Sequence, residues 1–489
     1  MDKNVARDTD LSRSVQDYID ETPVWKDGTT VPFSPMTRMQ WRIWGLAAAG
    51  KFFEGLVVFI TGVALPLISR EFDLNAVQHG MVGAASLAGI LVGAFFLGSL
   101  ADTFGRKTMF ILEMVIFIIF LMLLAVSPSY IWLVIFLFGV GVALGCDYPT
   151  AHLVISESIP SSTRGRLVLS AFGFQAVGAL AGTILGYIIL VSFPDVTAWR
   201  YMYAAVILPG LIVVIGRFGV TESPSWLMSH GRAEDAEREV VRLLERKPAY
   251  PKSVKLKSRQ KKLTKADRHP LALFNSRNRR STILASVPWF LQDLSTYGIG
   301  IFTPTILAAA LGHAATHDTS LTSLISDDIL AAKGAALIDL LLVAGVIAAV
   351  MLTDKVGRIP LQIVGFIGCA AGLLISAFSG YTTGSTQITL IFIGFMLFNF
   401  MTNMGPNAQT YLLAGEVFPV HIRARGAGFA AGFAKIGAVL TAFFFPILLN
   451  EIGTQALLYV LIGTSLLGAL ITYWFRVETT GQSLDDIDP

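Results

Sequence analysis

Gly98-Ser-Leu-Ala-Asp102-Thr-Phe-Gly105-Arg106-Lys107 is the stretch that decides the fold, because a shorter copy, Asp354-Lys-Val-Gly357-Arg358, returns 252 residues later. A second pair, Glu157-x-x-Pro160-x-x-x-Arg164 and Glu416-x-x-Pro419-x-x-x-Arg423, is offset by 259, and Glu222 has its counterpart in Glu478. Three matches at nearly equal offsets, each at the same place between apolar segments, point to a duplicated unit and to two similar bundles around a shared interface. Within the loop, Gly98 permits close helix approach and Gly105 a turn, while Asp102 and Arg106 can pair across the bundle or cap a helix end. The role expected of the set, from Gly98 through Lys107 and its echo, is a latch on one face.

The sequence around these loops belongs in lipid. Of 489 residues, 54% are hydrophobic and only 15% charged, with a mean hydropathy of +0.63, whereas soluble domains carry about 25% charged residues. Runs of about 20 apolar residues cross a bilayer as helices. They lie near 43–69, 79–101, 108–127, 130–153, 168–191 and 201–220, then 282–311, 333–353, 360–380, 387–413, 424–449 and 454–475. The expected architecture is an all-α membrane protein of twelve transmembrane helices in two pseudo-symmetric six-helix bundles, 43–220 and 282–475. Residues 1–42, with six basic and seven acidic groups, read as a solvated cytoplasmic tail. Residues 221–281 read as a cytoplasmic linker of surface helices and 476–489 as a second cytoplasmic tail.

Basic loops stay on the cytoplasmic side. Arg106 and Lys107, Arg164 and Arg166, Lys355 and Arg358, and Arg423 and Arg425 all fall after even-numbered helices, and residues 252–280 hold eleven Lys or Arg against Asp267 alone. The opposite-side connection at 312–332 offers Asp318, Asp327 and Asp328. Both termini are therefore expected in the cytoplasm of a multi-pass protein, most simply of a bacterial inner membrane. A net charge of +3 gives no reason to expect nucleic acid. Cys146 and Cys369 sit in apolar runs and provide neither a disulfide framework nor a zinc site. No cofactor, metal or enzymatic nucleophile–base pair is expected; the partners are a small solute, protons and lipid around a monomer.

A charge at mid-bilayer costs about 2.5–3.5 kcal/mol, so the ionisable residues in the spans, among them Lys51, Glu54, Glu113, Asp147, Asp293, Asp339 and Lys435, mark places of interest. Lys51 and Glu54, three apart, can neutralise each other. Glu113 and Asp339 have no motif around them and read as helix-packing or interface groups. Trp289, Asp293 and Tyr297 recur every fourth residue and form one polar-tipped stripe. Pro149 beside Asp147, and Pro406 beside Asn407, would free backbone carbonyls next to a wet cavity. Gly178, Gly182 and Gly186 form a small-residue ridge for close packing.

The loop, its copy and the Glu-x-x-Pro-x-x-x-Arg pair resemble the major facilitator superfamily over residues 40–489, with Val350 in place of the first glycine of the second loop. Gly145-Cys-Asp147-Tyr148-Pro149, Phe172-x-x-Gln175, the Trp289/Asp293/Tyr297 stripe, Gly405-Pro406-Asn407 and Lys435-x-Gly-Ala resemble its phosphate:proton symporters. Glu222-Ser-Pro-x-Trp226-Leu and Glu478-Thr-x-Gly481 are similar to its sugar porters. By that resemblance Tyr148, Gln175, Trp289, Asp293, Tyr297, Asn407 and Lys435 would line an anion pocket, and Glu54, Asp147 and Asp293 would handle protons. One departure is that Phe52-Phe53 is followed by the single Glu54 where the phosphate family has two aspartates. The resemblance implies proton-coupled transport of phosphate or a small organic acid by alternating access; a sugar or polyol carrier of the same fold, and a solute receptor without flux, remain the alternatives.

Overall fold

The computed structural model describes residues 13–22, 34–97, 100–245, 254–256, 273–276, 278–312, 321–418, 422–477 and 479. It is helical almost throughout. A short α1 (Val15–Asp20) precedes α2 (Arg38–Glu71), α3 (Ala76–Val92), α4 (Leu100–Phe104), α5 (Arg106–Ala125), α6 (Tyr130–Ser158), α7 (Ser161–Ser192) and α8 (Ala198–Phe218). Two surface helices, α9 (Pro224–Ser229) and α10 (Ala233–Leu243), open the linker. The second half holds α11 (Arg279–Gly312), α12 (Leu321–Val356), α13 (Arg358–Phe378), α14 (Gly384–Met404), α15 (Pro406–Glu416) and α16 (Arg423–Phe475).

Ten segments are long and apolar enough to cross a membrane by length and composition alone. The last of them, Arg425–Phe475, holds two crossings, because Gly453 (φ 78°, ψ 166°) breaks the helix where the sequence placed a turn between 449 and 454. Together with α11, which carries the polar stripe, this makes twelve. Helix ten is split as its glycine and proline predict: Gly405 (φ −107°, ψ −99°) separates α14 from α15. Pro149 does not act as a breaker, and α6 runs through it. The stretch 312–332 is also not a simple connection, since α12 already begins at Leu321 and Asp327 and Asp328 lie inside it, beyond its first turn.

In the first half α2 packs on α7, α3 on α6, and α5 on α6 and α8; in the second, α11 packs on α16, α13 on α14 and α16, and α12 on α14. Across the halves α7 meets α12, α3 meets α16 and α2 meets α11. The glycine ridge brings α2 and α7 together: a Cβ at Gly178 or Gly182 would run into the carbonyl oxygens of Phe52 and Leu56, and one at Gly55 into that of Gln175. This near-contact of backbones holds Gln175 beside Glu54.

Residues 13–22 differ from the expected solvated tail. Val15, Tyr18 and Ile19 are buried, Asp20 accepts from the Ser161 amide at 2.7 Å, and Arg13 forms a bridge with Leu256 of the linker. One apolar helical face is enough to dock the segment, whatever its charge.

Candidate functional site

Lys435, on α16, is buried among groups from both halves. Its Nζ lies 3.2 Å from Asp293 Oδ2 and donates at 2.6 Å to the Tyr297 hydroxyl, both on α11. From the first half, Glu54 Oε1 stands 3.8 Å away. Gln175 Nε2 donates to Glu54 Oε1 at 3.0 Å and to Tyr297 Oη at 3.1 Å, and Lys51 Nζ donates to Glu54 Oε2 at 3.0 Å. Glu54, Asp293 and Lys435 are each at most 2% exposed. Four of the residues predicted from sequence, Glu54, Gln175, Asp293 and Tyr297, thus converge on a fifth, Lys435. Each lies near the midpoint of its crossing, Lys435 in the part of α16 before Gly453, so the cluster sits at mid-membrane depth. Two ammonium groups face two carboxylates, and the charges balance.

Asp147 stands apart from this cluster. Its Oδ1 accepts from Arg217 Nη2 at 2.9 Å, while Arg217 Nη1 reaches Glu113 Oε1 at 2.5 Å and the guanidinium lies 3.5 Å from the centre of the Phe110 ring. Arg217 is fully buried. Asp147 abuts Gly50, where a Cβ would collide with its carboxylate, so it sits one residue from Lys51 without entering the Lys435 contacts. Arg217 was the functional residue hardest to see in the sequence: it falls in the predicted 201–220 span, near the basic face, where a cation reads as an interfacial group. Glu113, read as a packing group, is its second partner.

Trp289 packs edge-on against Tyr411 at 6.1 Å, Phe172 stacks on the same ring at 4.1 Å, and His152 Nδ1 lies 3.2 Å from its hydroxyl. Trp289 therefore helps to build an aromatic plug between the halves. A narrow cavity of about 20 Å³ lies beside the charged cluster, lined by residues including Phe59, Gln175, Thr296, Tyr297, Asn403 and Asn407. That is room for a water molecule and little more. Asn407 donates to Asn403 Oδ1 at 2.8 Å. The side chain of Tyr148 lies outside the described residues.

The repeated loops form a pair of matched staples. Gly105 (φ 100°, ψ 153°) and Gly357 (φ 101°, ψ 157°) turn the chain identically. Arg106 Nη1 donates to the Ala101 carbonyl at 2.8 Å and its Nη2 lies 3.4 Å from Glu157; Arg358 lies 3.2 Å from Glu416 and 3.3 Å from Asp354, and reaches the Thr353 carbonyl. Ser223 donates to Glu157 and Thr479 to Glu416. Glu222 accepts from the amides of Lys107 and Ser223 at 3.0 and 2.8 Å. Both staples hold helices of one bundle to each other. Asp354 does cross, to Arg166 at 2.9 Å, and Arg164 bonds Gln16 at 2.7 Å rather than a carboxylate. Gly98, and the side chains of Asp102 and Arg423, lie outside the described residues.

A family model described as "Sugar (and other) transporter" matches residues 43–489. The putative metabolite transport protein YaaU of Escherichia coli is 28% identical over 90% of this chain and 92% of its own. The glucose transporter GlcP of Staphylococcus epidermidis is also 28% identical, over 93% and 97%. A partially occluded, inward-open structure of the xylose transporter XylE from E. coli superimposes with a TM-score of 0.72 at 20% identity, covering 91% of this chain and all of that one. The chain belongs to the sugar (and other) transporter family: it is a multi-pass membrane transporter and not an enzyme.

Proposed function

We propose that the protein imports a small anionic solute, inorganic phosphate or a compact organic acid, together with protons, by rocking its two bundles about the Lys435 cluster. The observation that carries this reading is the position of Lys435 between Asp293 on its own half and Glu54 on the other. An anion approaching Lys435 displaces one of these carboxylates and is repelled by both while they are ionised. Protonation removes the repulsion and frees the ammonium, so proton and anion load together. Tyr297, Gln175 and Asn407 then supply neutral donors to the bound oxygens. Tyr148 and Trp289 complete the wall, and Asp147, held by Arg217, is a further station for the proton.

In this reading the basic loops face the cytoplasm with both termini, in a bacterial inner membrane, and one chain suffices because both halves of the site lie on it. The set of Gly98, Asp102, Gly105, Arg106, Lys107, Glu157, Arg164, Asp354, Gly357, Arg358, Glu416 and Arg423 serves as a latch on that face, to which the exposed Arg166–Asp354 pair adds a weak link between the halves. A sugar or polyol is the second reading, favoured by the neutral lining of Gln175, Thr296, Asn403 and Asn407 and by the likeness to the staphylococcal glucose transporter.

Labelled phosphate, small carboxylates and hexoses, offered to proteoliposomes under a pH gradient, separate these readings. Lys435→Ala and Asp293→Asn are expected to abolish anion accumulation; hexose uptake that survives Lys435→Ala transfers the function to the sugar reading. Binding without flux marks a receptor.

A further inference from the structure

One turn beyond the cavity, on three of the helices that line it, lies a carboxyl group with no role so far. Ala179 on α7, Leu342 on α12 and Asn403 on α14 line the cavity. About one turn further from the basic face, the same helices present Thr183, Asp339 and Asn399. Thr183 Oγ1 lies 2.7 Å from Asp339 Oδ2, and Asn399 Nδ2 donates to Asp339 Oδ1 at 3.3 Å. Asp339 is 3% exposed and bridges α12 of one bundle to α7 of the other.

Charge is not balanced here. Among the described residues the groups that meet Asp339 are neutral: Thr183 from α7 and Asn399 from α14. Charged groups on the other helices packed against α12 meet other partners: Arg166 on α7 pairs with Asp354, and Arg70 on α2 faces Asp328, three turns from Asp339. Lys51 and Glu54 on α2 and Asp293 on α11 belong to the Lys435 cluster, and Arg358 on α13 pairs with Glu416 and Asp354 at the basic face. On α12 itself Lys333 is exposed, nearly two turns away. An ionised carboxylate at this depth without a cation is expensive. The hydroxyl geometry agrees with a neutral acid. Thr183 Oγ1 also lies 3.1 Å from the Ala179 carbonyl of its own helix, and its single hydrogen serves one acceptor at a time. With that hydrogen on the carbonyl, the 2.7 Å contact is made by a proton on Asp339.

We propose that Asp339 is a second proton-binding site, distinct from the Lys435 cluster, and that the seal between the cavity and the face opposite the basic loops closes only when Asp339 carries its proton. Separation of α12 from α7 would expose the carboxyl to water on that face, where it ionises and holds the seam open until it is protonated again. The inference does not depend on the identity of the solute.

Infrared spectroscopy of the protein in lipid is expected to show the carbonyl band of a protonated carboxylic acid that disappears in Asp339→Asn. Thr183→Val, which keeps the acid and removes its partner, is expected to shift that band. A membrane-impermeant maleimide, offered to a cysteine at Ala335, buried one turn beyond Asp339 on α12, in a Cys146→Ala/Cys369→Ala background, reads the opening directly. Normalised to an always-exposed cysteine at the same pH, which removes the thiol's own ionisation, labelling of the otherwise unaltered protein is expected to rise by up to about tenfold per pH unit as the acid titrates, whereas in Asp339→Asn, which mimics the neutral acid, the normalised rate stays slow and flat. An unchanged band in Asp339→Asn, or labelling with the original pH dependence, overturns the proposal.

Discussion

Arg217 shows how much can depend on one side chain. Its guanidinium is the common partner of Glu113 and Asp147, and all three are buried. Arg217→Met leaves two carboxylates facing each other in a dry interior, and the expected cost is about 3–5 kcal/mol, read as a lower thermal unfolding midpoint in detergent. Arg217→Lys is expected to recover only part of it, because a point charge cannot fork to two acids as the planar group does. Converting Asp147 to Asn in the Arg217→Met background should restore stability by removing the repulsion. At this scale the sequence was partly legible. The Lys51–Glu54 pair follows from a three-residue spacing, whereas Lys435 and Asp293 are 142 residues apart and no spacing rule joins them; their grouping came from the family resemblance. Arg217 escaped because position near a helix end hides whether the side chain turns toward water or inward.

Among the elements, the two staples and the α2–α7 seam are the most sensitive to backbone shape. Gly105 and Gly357 both occupy a region that other residues reach only with strain, so Gly357→Ala is expected to cost about 1–3 kcal/mol. Gly165, in the first turns of α7, has open space about its Cα; Gly165→Ala should leave stability unchanged or raise it by up to about 1 kcal/mol. Thermal melts of the two variants side by side check the contrast. Gly178→Leu should wedge α7 away from α2, drawing Gln175 off Glu54 and lowering the folded yield in size-exclusion chromatography. Helix starts and breaks were legible where a single residue fixes φ, as at Gly405 and Gly453. The start of α12 is not legible because Asp327 and Asp328, inside the helix but beyond its first turn, read as a polar connection, and α6 passes through Pro149 because a long buried helix is held by its neighbours more than by each local hydrogen bond.

At the level of the whole molecule, the repeat made the two bundles predictable from four short segments, while the way they meet is a matter of side chains that no motif encodes. On the basic face the halves are joined by the exposed Arg166–Asp354 pair. Such a pair is worth about 0–1 kcal/mol, so Asp354→Asn should shift the opening of that face by no more than about fivefold, measured as the alkylation rate of a cysteine placed behind Tyr411. A disulfide between Arg166→Cys and Asp354→Cys should stop transport and release it on reduction. The docked α1 has a practical consequence. Tied through Gln16 to Arg164 and through Asp20 to Ser161, it travels with the first bundle while lying off the solute route. A spin label at Asp17 and another at Lys355 therefore make a molecular protractor, able to read the swing angle of the halves without disturbing any residue that touches cargo.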